Sequence, residues 1–292
     1  MTGASVRGHV HKGKADFSDI YDCPDPRRYF ERLQPLDYQI PRHGQAVFRT
    51  LIDALHRQRP AVTPTVLDLC CSYGINAALL NHTLTLSDLY THYTDKALTR
   101  LTARQLADID VEFFARSRRP DAVPVVGLDS AARAVRYATS VGLLQGGYGE
   151  NLEAAPASER LRHAAARTVL VTVTGGIGYI YAKTFERLLE CLSTPPWVAV
   201  FTLRTVPYQP IADLLATHGL VTERLRTRTF RQRRFTNARE RDATLAVLAK
   251  AGLDARGREA DGYYHTDLYL SRPRAEAAAL PLGELLPDPV AR

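Results

Sequence analysis

Cysteine is scarce in this chain: 292 residues hold four, Cys23, Cys70, Cys71 and Cys191. Two are adjacent and none forms a CxxC pair, which excludes a disulfide-framed scaffold and a zinc site of the usual spacing. A reducing, cytoplasmic setting is expected. No apolar run reaches the roughly 18 residues needed to span a bilayer. The stretch from Met1 to Lys14 is polar and lacks the apolar segment of a secretory signal. Internal repeats of roughly 20–50 residues are absent, which excludes solenoids and propellers. Acidic residues are the minority, with 31 Asp+Glu against 38 Lys+Arg, a formal net charge of +7. Arginine far outnumbers lysine, as in the proteome of a high-GC genome, so part of that charge reflects codon usage rather than a partner. What remains is ordinary globular composition, 45% hydrophobic and 24% charged, in a chain long enough for one sizeable core.

The first forty residues are dense in turn and aromatic signals: Asp22-Cys23-Pro24-Asp25-Pro26, Tyr29-Phe30, Pro35, Tyr38 and Pro41. Closely spaced prolines stop a long helix there, leaving a short helix at 26–33. Residues 1–45 read as an N-terminal arm, either a surface extension with packed aromatics or a lid. The pair His9 and His11 reads as solvated rather than metal-binding. Val47, Phe48, Leu51, Ile52 and Leu55 form a 3.6-residue stripe, which predicts an amphipathic helix over 46–57. A buried strand is expected at 64–70 and a helix at 75–81. Residues 84–120 show helical spacing and no strand, the mark of a helical cap insertion. Strands then recur at 123–129, 143–147, 168–174 and 197–203. Helices fall between and after them at 130–140, with Ser130 as N-cap, 158–166, 182–192, 211–218 and 239–251. Segments 256–259 and 266–270 are expected to close the sheet as an antiparallel pair, and 276–292 to form a loosely held tail. Near-continuous apolar strands alternating with helices imply a mostly parallel, doubly wound α/β sheet over 46–275, with an antiparallel C-terminal edge.

Four segments carry chemistry. In Val66-Leu-Asp68-Leu-Cys70-Cys-Ser72-Tyr-Gly74 an acid ends a buried strand, and small residues then alternate up to a glycine that opens a helix. Small side chains let a backbone turn sharply and approach a ligand. In Val125-Val-Gly-Leu-Asp129 an acid ends the next strand, where a carboxylate suits two vicinal hydroxyls. Its distance from Gly74 exceeds the usual offset of about 20 residues, which the helical insertion explains; Asp88 is the rival, with no strand before it. Tyr148-Gly-Glu150-Asn151 follows the third strand, and Thr174-Gly175-Gly176-Ile-Gly178-Tyr179-Ile-Tyr181 follows the strongest one.

Together these segments resemble the class I S-adenosylmethionine-dependent methyltransferases, over about residues 46–273. The resemblance implies a Rossmann-like fold and S-adenosylmethionine as cofactor. Asp68 matches the family's acid, and Cys70, Ser72 and Gly74 match three positions that are usually glycine, two of which are replaced here. Asp129 matches the acid that accepts from the ribose hydroxyls. Glu150 or Asn151 would read the adenine, and Thr174 and Gly175 would line the cofactor site. Tyr179 or Tyr181 would lie beside the sulfonium, since aromatic faces attract cations. Tyr21, Tyr29 and Tyr38 are the arm's candidates for touching cofactor or substrate. The Asp-Pro-Pro-Tyr or Asn-Pro-Pro-Tyr motif of base methylation is missing, as is an acidic metal cluster of the catechol type. The implied activity is methyl transfer to a small polar or carboxylated metabolite, of the kind found in secondary metabolism. Some relatives instead cleave the cofactor to azetidine-2-carboxylate and methylthioadenosine, and a non-enzymatic module that docks a carrier protein is a third reading. The basic run at 224–235 is the best nucleic-acid candidate. The positive charge forms no stripe elsewhere, so a solvated face, an acidic substrate or a carrier-protein surface is preferred there. His265, between Tyr264 and a strand, reads as a packed polar residue.

Overall fold

The computed structural model describes residues 17–61 and 63–288; the His9 and His11 pair lies outside the described residues. Five strands, β1 (Thr65–Leu69), β2 (Val125–Leu128), β3 (Gly146–Tyr148), β4 (Thr168–Thr174) and β5 (Trp197–Leu203), run parallel in the order β3-β2-β1-β4-β5. The last strand, β8 (Tyr263–Pro273), pairs antiparallel with β5, and β6 (Leu220–Arg224) and β7 (Phe230–Arg234) lie end to end along its other side. The doubly wound sheet with an antiparallel edge is therefore as expected.

Alternation of side chains sends one set to each face of the sheet. Val66, Leu170, Trp197 and Phe201 enter the larger core, while Leu67, Val171, Val173 and Val200 enter the smaller one. The helices that cover these faces are, in chain order, α1 (Ser18–Tyr21), α2 (Arg27–Leu33), α3 (Ile40–Gln58), α4 (Ile75–Asn81), α5 (Leu86–Tyr93), α6 (Ala103–Ser117), α7 (Ala132–Ser140), α8 (Glu159–Ala165), α9 (Ala182–Leu189), α10 (Gln209–Thr217), α11 (Ala238–Lys250), α12 (Arg274–Ala279) and α13 (Leu282–Leu285). The arm is part of the larger core rather than an appendage. Tyr29, Phe30 and Leu33 are buried, Phe30 stacks on Tyr93 of α5 at 4.7 Å, and Tyr73 donates its hydroxyl hydrogen to Ile20 O at 2.9 Å.

Several local expectations differ from the structure for identifiable reasons. Helix α3 starts at Ile40 because Pro41 sits in its first turn, where a missing N–H is harmless and the fixed φ suits the helix. Ser130 does not cap α7, whose N-cap position is Ala131 with no side-chain cap; the Asp129 carboxylate accepts from Ala131 N at 2.9 Å just before the helix. Strand β3 is displaced to 146–148 because Leu143 and Leu144 are buried in the turn before it. It passes so close to α7 that a Cβ on Gly147 would lie 2.2 Å from Thr139 Oγ1. Segment 256–259 is not a strand: residues 256–258 form a turn that leads into a 3-10 turn at 259–261. Instead β8 pairs with β6 and with β7 from the arginine-rich run, where Phe230, Gln232 and Arg233 are buried. The C-terminal segment is docked through residue 286. Leu282, Leu285 and Leu286 are buried, and Glu276 pairs with Arg59 at 2.8 Å.

Candidate functional site

A cavity of about 410 Å³ opens at the carboxyl ends of β1, β2 and β4, at the switch point where ligands of such sheets bind. Residues of the arm, among them Tyr21, Tyr29 and Tyr38, form its other wall.

The turn after β1 has an unusual backbone. Cys70 (φ 61°), Ser72 (φ 48°) and Gly74 (φ 74°) all adopt the left-handed region, which costs an ordinary residue about 1–2 kcal/mol. The two non-glycine positions keep the glycine geometry because the surroundings hold it. Cys70 N and Cys71 N both donate to Leu128 O, and Ser72 N donates to Asp129 Oδ2 at 2.9 Å. The Cys70 thiol is seated so closely on Gly176 that a Cβ there would lie 2.6 Å from its sulfur. Cys70 and Ser72 line the cavity, and burial pushes the Cys70 thiol well above its usual range. Ser72 Oγ is buried with no hydrogen-bond partner among the described residues. Gly74 does not line the cavity; it opens α4 against Ala138 and Leu143.

Asp68 also stands behind the wall rather than in it. Its Oδ1 accepts from Asn76 Nδ2 at 2.8 Å and Thr172 Oγ1 at 2.9 Å, and its Oδ2 is buried without a partner among the described residues. Burial raises its pKa to about 7. The side chain that reaches the cavity is Asn76, which also donates to Thr174 Oγ1 at 2.9 Å. Sequence reasoning missed Asn76; the only signal was a polar residue two positions after the helix-opening glycine.

Asp129 lines the cavity. Ser72 N and Ala131 N hold its two oxygens in place, and burial raises its pKa. Asp88 is exposed and forms a capping box with Thr85 at the start of α5, away from the cavity. Glu150 and Asn151 both line the cavity. Glu150 accepts from Ser158 N and Oγ, and Asn151 Oδ1 accepts from Glu153 N, so both also shape the loop that carries them. Glu153, unremarked in the sequence, accepts from Tyr181 N at 2.7 Å and from Thr184 N and Oγ1. It thereby ties the first turn of α9, and the glycine loop before it, to the loop after β3.

In that glycine loop Thr174, Gly175, Gly176 and Tyr179 line the cavity. Tyr181 does not: it is 41% exposed and its hydroxyl donates to Gly178 O at 2.8 Å. The loop turns between the two tyrosines, so only Tyr179 is brought to the cavity mouth. Tyr21, Tyr29 and Tyr38 approach one another edge to face, with Tyr29 central at 5.9 and 6.2 Å. Burial raises all three phenol pKa values.

The basic run contributes in a way the sequence did not reveal. Gln232 and Arg233 of β7 line the cavity. Arg233 is buried, pairs with Glu240 through both terminal nitrogens at 2.7 and 3.1 Å, and lies over the rings of Phe17 and Tyr264. Arg224 pairs with Asp267 and Arg228 with Asp288. One arginine of the run is thus committed inside the fold and two more are paired, while Arg226, Arg231 and Arg234 stay exposed. His265 is buried with Nδ1 2.8 Å from Thr229 Oγ1.

No family model matches the chain, and no curated protein matches it. Solved structures do resemble it at low identity. The plantazolicin methyltransferase BamL, in complex with a triazolic desmethylPZN analog and SAH, is 11% identical over 85% of this chain and 89% of that one, with a TM-score of 0.43. Magnesium protoporphyrin IX methyltransferase (ChlM) from Synechocystis PCC 6803 with bound SAM is 13% identical over 79% of each chain, with a TM-score of 0.36. A cyclopropane-fatty-acyl-phospholipid synthase-like protein from Lactobacillus casei ATCC 334 is 12% identical over 77% of this chain and 90% of that one, with a TM-score of 0.38.

Proposed function

We propose that this chain is a class I S-adenosylmethionine-dependent methyltransferase acting on a small molecule. The observation that carries the proposal is the turn after β1, with left-handed backbone at 70, 72 and 74 beside the fixed carboxylate of Asp129. Strain of this kind persists only where the surroundings enforce it, and it gathers at ligand sites. The cavity fits the cofactor chemically. Ser72 Oγ is a buried oxygen without a partner among the described residues, and the bare α-carbon of Gly175 leaves room in the cavity wall that a side chain would fill.

In this reading Asp129 would hold the ribose hydroxyls, Glu150 or Asn151 the adenine, and Ser72, Asn76 and Thr174 the amino-acid end, with Gly175 at the boundary between that end and the acceptor. Asp68 would act through Asn76. When bound, S-adenosylmethionine supplies an electrophilic methyl group. Tyr179 and the arm's tyrosines would exclude water around it, so that positioning and desolvation supply most of the acceleration. The bend of the glycine loop favours Tyr179 over Tyr181 for this task.

Calorimetry tests the binding half: the chain binds S-adenosylhomocysteine, and Asp129→Ala weakens it at least tenfold. Product analysis tests the chemistry. S-adenosylhomocysteine formed only with an added acceptor supports methyl transfer, whereas methylthioadenosine formed from cofactor alone would replace it by internal cyclisation to azetidine-2-carboxylate. Absence of any cofactor binding would overturn both.

A further inference from the structure

Between the pairs Arg231–His265 and Arg234–Tyr263, β7 carries one residue more than β8. Such a bulge breaks the alternation and turns two adjacent side chains to one side, here Gln232 and Arg233, both buried and both in the cavity wall. A methyl group placed on Gly175 would lie 3.1 Å from Gln232 Nε2 and 3.7 Å from the Tyr38 hydroxyl. A carboxamide and a phenol therefore converge on one point above a bare α-carbon at the end of β4.

The charges around that point cancel. Arg233 is neutralised by Glu240, and the carboxylates Asp129 and Glu150 follow β2 and β3, on the far side of β1 from β4. Asp22 is exposed and accepts from Arg133 N. Among the described residues that line the cavity, the one cation is Arg233, already paired, so a carboxylate ligand would be buried there without a free counter-charge, which is costly. A cationic ligand would face the positive sulfonium of the proposed cofactor. The remaining walls near the bulge are the rings of Phe17, Tyr21 and Tyr179.

Resting on the reading of this cavity as a methyltransferase site, we propose that the β7 bulge builds the acceptor subsite, in which Gln232 and Tyr38 select an uncharged aromatic compound bearing a hydroxyl or carboxamide. Gln232 is a specificity residue whose removal leaves the strand in place, because its carbonyl oxygen separately accepts from Gln39 N at 2.8 Å.

The test is ligand-observed NMR on the full chain saturated with sinefungin, an unreactive cofactor analogue that keeps a positive charge near the sulfonium position, using benzamide, phenol, benzoate and benzylamine as probes. Benzamide and phenol bind more tightly than benzoate and benzylamine. Gln232→Ala weakens benzamide at least fivefold while the dissociation constant for sinefungin moves less than twofold. Gln232→Glu, which places a charge at the same point, shifts preference toward benzylamine. The inference is overturned if sinefungin binds but benzamide and phenol do not, if benzoate or benzylamine binds equally well, or if Gln232→Ala leaves benzamide unchanged. Failure of the wild-type chain to bind sinefungin overturns instead the reading on which it rests.

Discussion

Asp68 shows most clearly what burial does to a single residue at this site. An ordinary aspartate ionises near 3.8, but here the pKa is raised to about 7 by desolvation. At about 1.4 kcal/mol per unit, that shift is worth on the order of 4 kcal/mol. The sign follows from proton counting. Between about pH 4 and 7 the folded chain holds a proton that the unfolded chain has released, so this group's contribution falls as pH rises through that window. Asp68→Asn cannot ionise and escapes the fall. Urea unfolding at pH 5, 6.5 and 8 should therefore show the variant gaining on the wild type with rising pH; parallel profiles would show that Asp68 ionises freely in the fold. The position of Asp68 was legible from its place at a strand end. Its retreat behind Asn76 was not, because the network with Thr172 and Thr174 joins β1, β4 and α4 across about a hundred residues of sequence. In the same way the small residues at 70 and 72 were visible as small, whereas their left-handed backbone is imposed by Leu128 and Asp129.

Among the elements, legibility followed the range of the forces that define them. Strands β4 and β5 and helix α4 match the expected spans because a run of β-branched or apolar residues, or a glycine followed by an apolar stretch, is a local signal. Strands β6 and β7 could not be seen in the same way. Their arginines look solvated in isolation, and Arg224, Arg231 and Arg234 do stay exposed, but Arg233 becomes a core residue because β8 supplies a partner strand and Glu240 a counter-charge. The glycine loop is a third case: its sequence predicts freedom, yet one carboxylate restrains it. Glu153 Oε1 accepts three hydrogen bonds at the start of α9, where a negative charge also complements the helix dipole. Glu153→Ala should destabilise the fold by about 1–3 kcal/mol through the unsatisfied N–H groups. It should also speed amide exchange over 176–184 well beyond that of β4, with any methyl-transfer activity falling in step. Unchanged exchange in that segment would mean that the loop is held from elsewhere.

For the whole molecule, the basic run that first suggested a nucleic-acid partner turns out to be internal at one of its arginines, Arg233. The Arg233–Glu240 pair is almost fully buried, with 3% and 1% of the two side chains exposed. It stands where the arm, through Phe17, meets the sheet edge, through Tyr264, and the cavity. The Glu240 carboxylate also accepts from Thr236 N and Oγ1, fixing the approach to α11. A buried pair of this kind contributes little net stability, since desolvation offsets attraction, but breaking it strands one charge at a cost of about 3–5 kcal/mol. Glu240→Ala should therefore lower the unfolding free energy by about that amount, because a guanidinium is left without its counter-charge between two aromatic rings. Arg233→Met combined with Glu240→Leu removes both charges, keeps the volume, and should recover most of the loss in urea unfolding. If the double variant is as unstable as the single one, the pair is not what joins arm to sheet. The exposed arginines of the run decide the electrostatic question: with Arg226, Arg231 and Arg234 replaced together by Ala, RNA retention in filter binding should stay as weak as it is for the wild type. A steep salt dependence present in the wild type and lost in that triple variant would instead make the run a nucleic-acid contact.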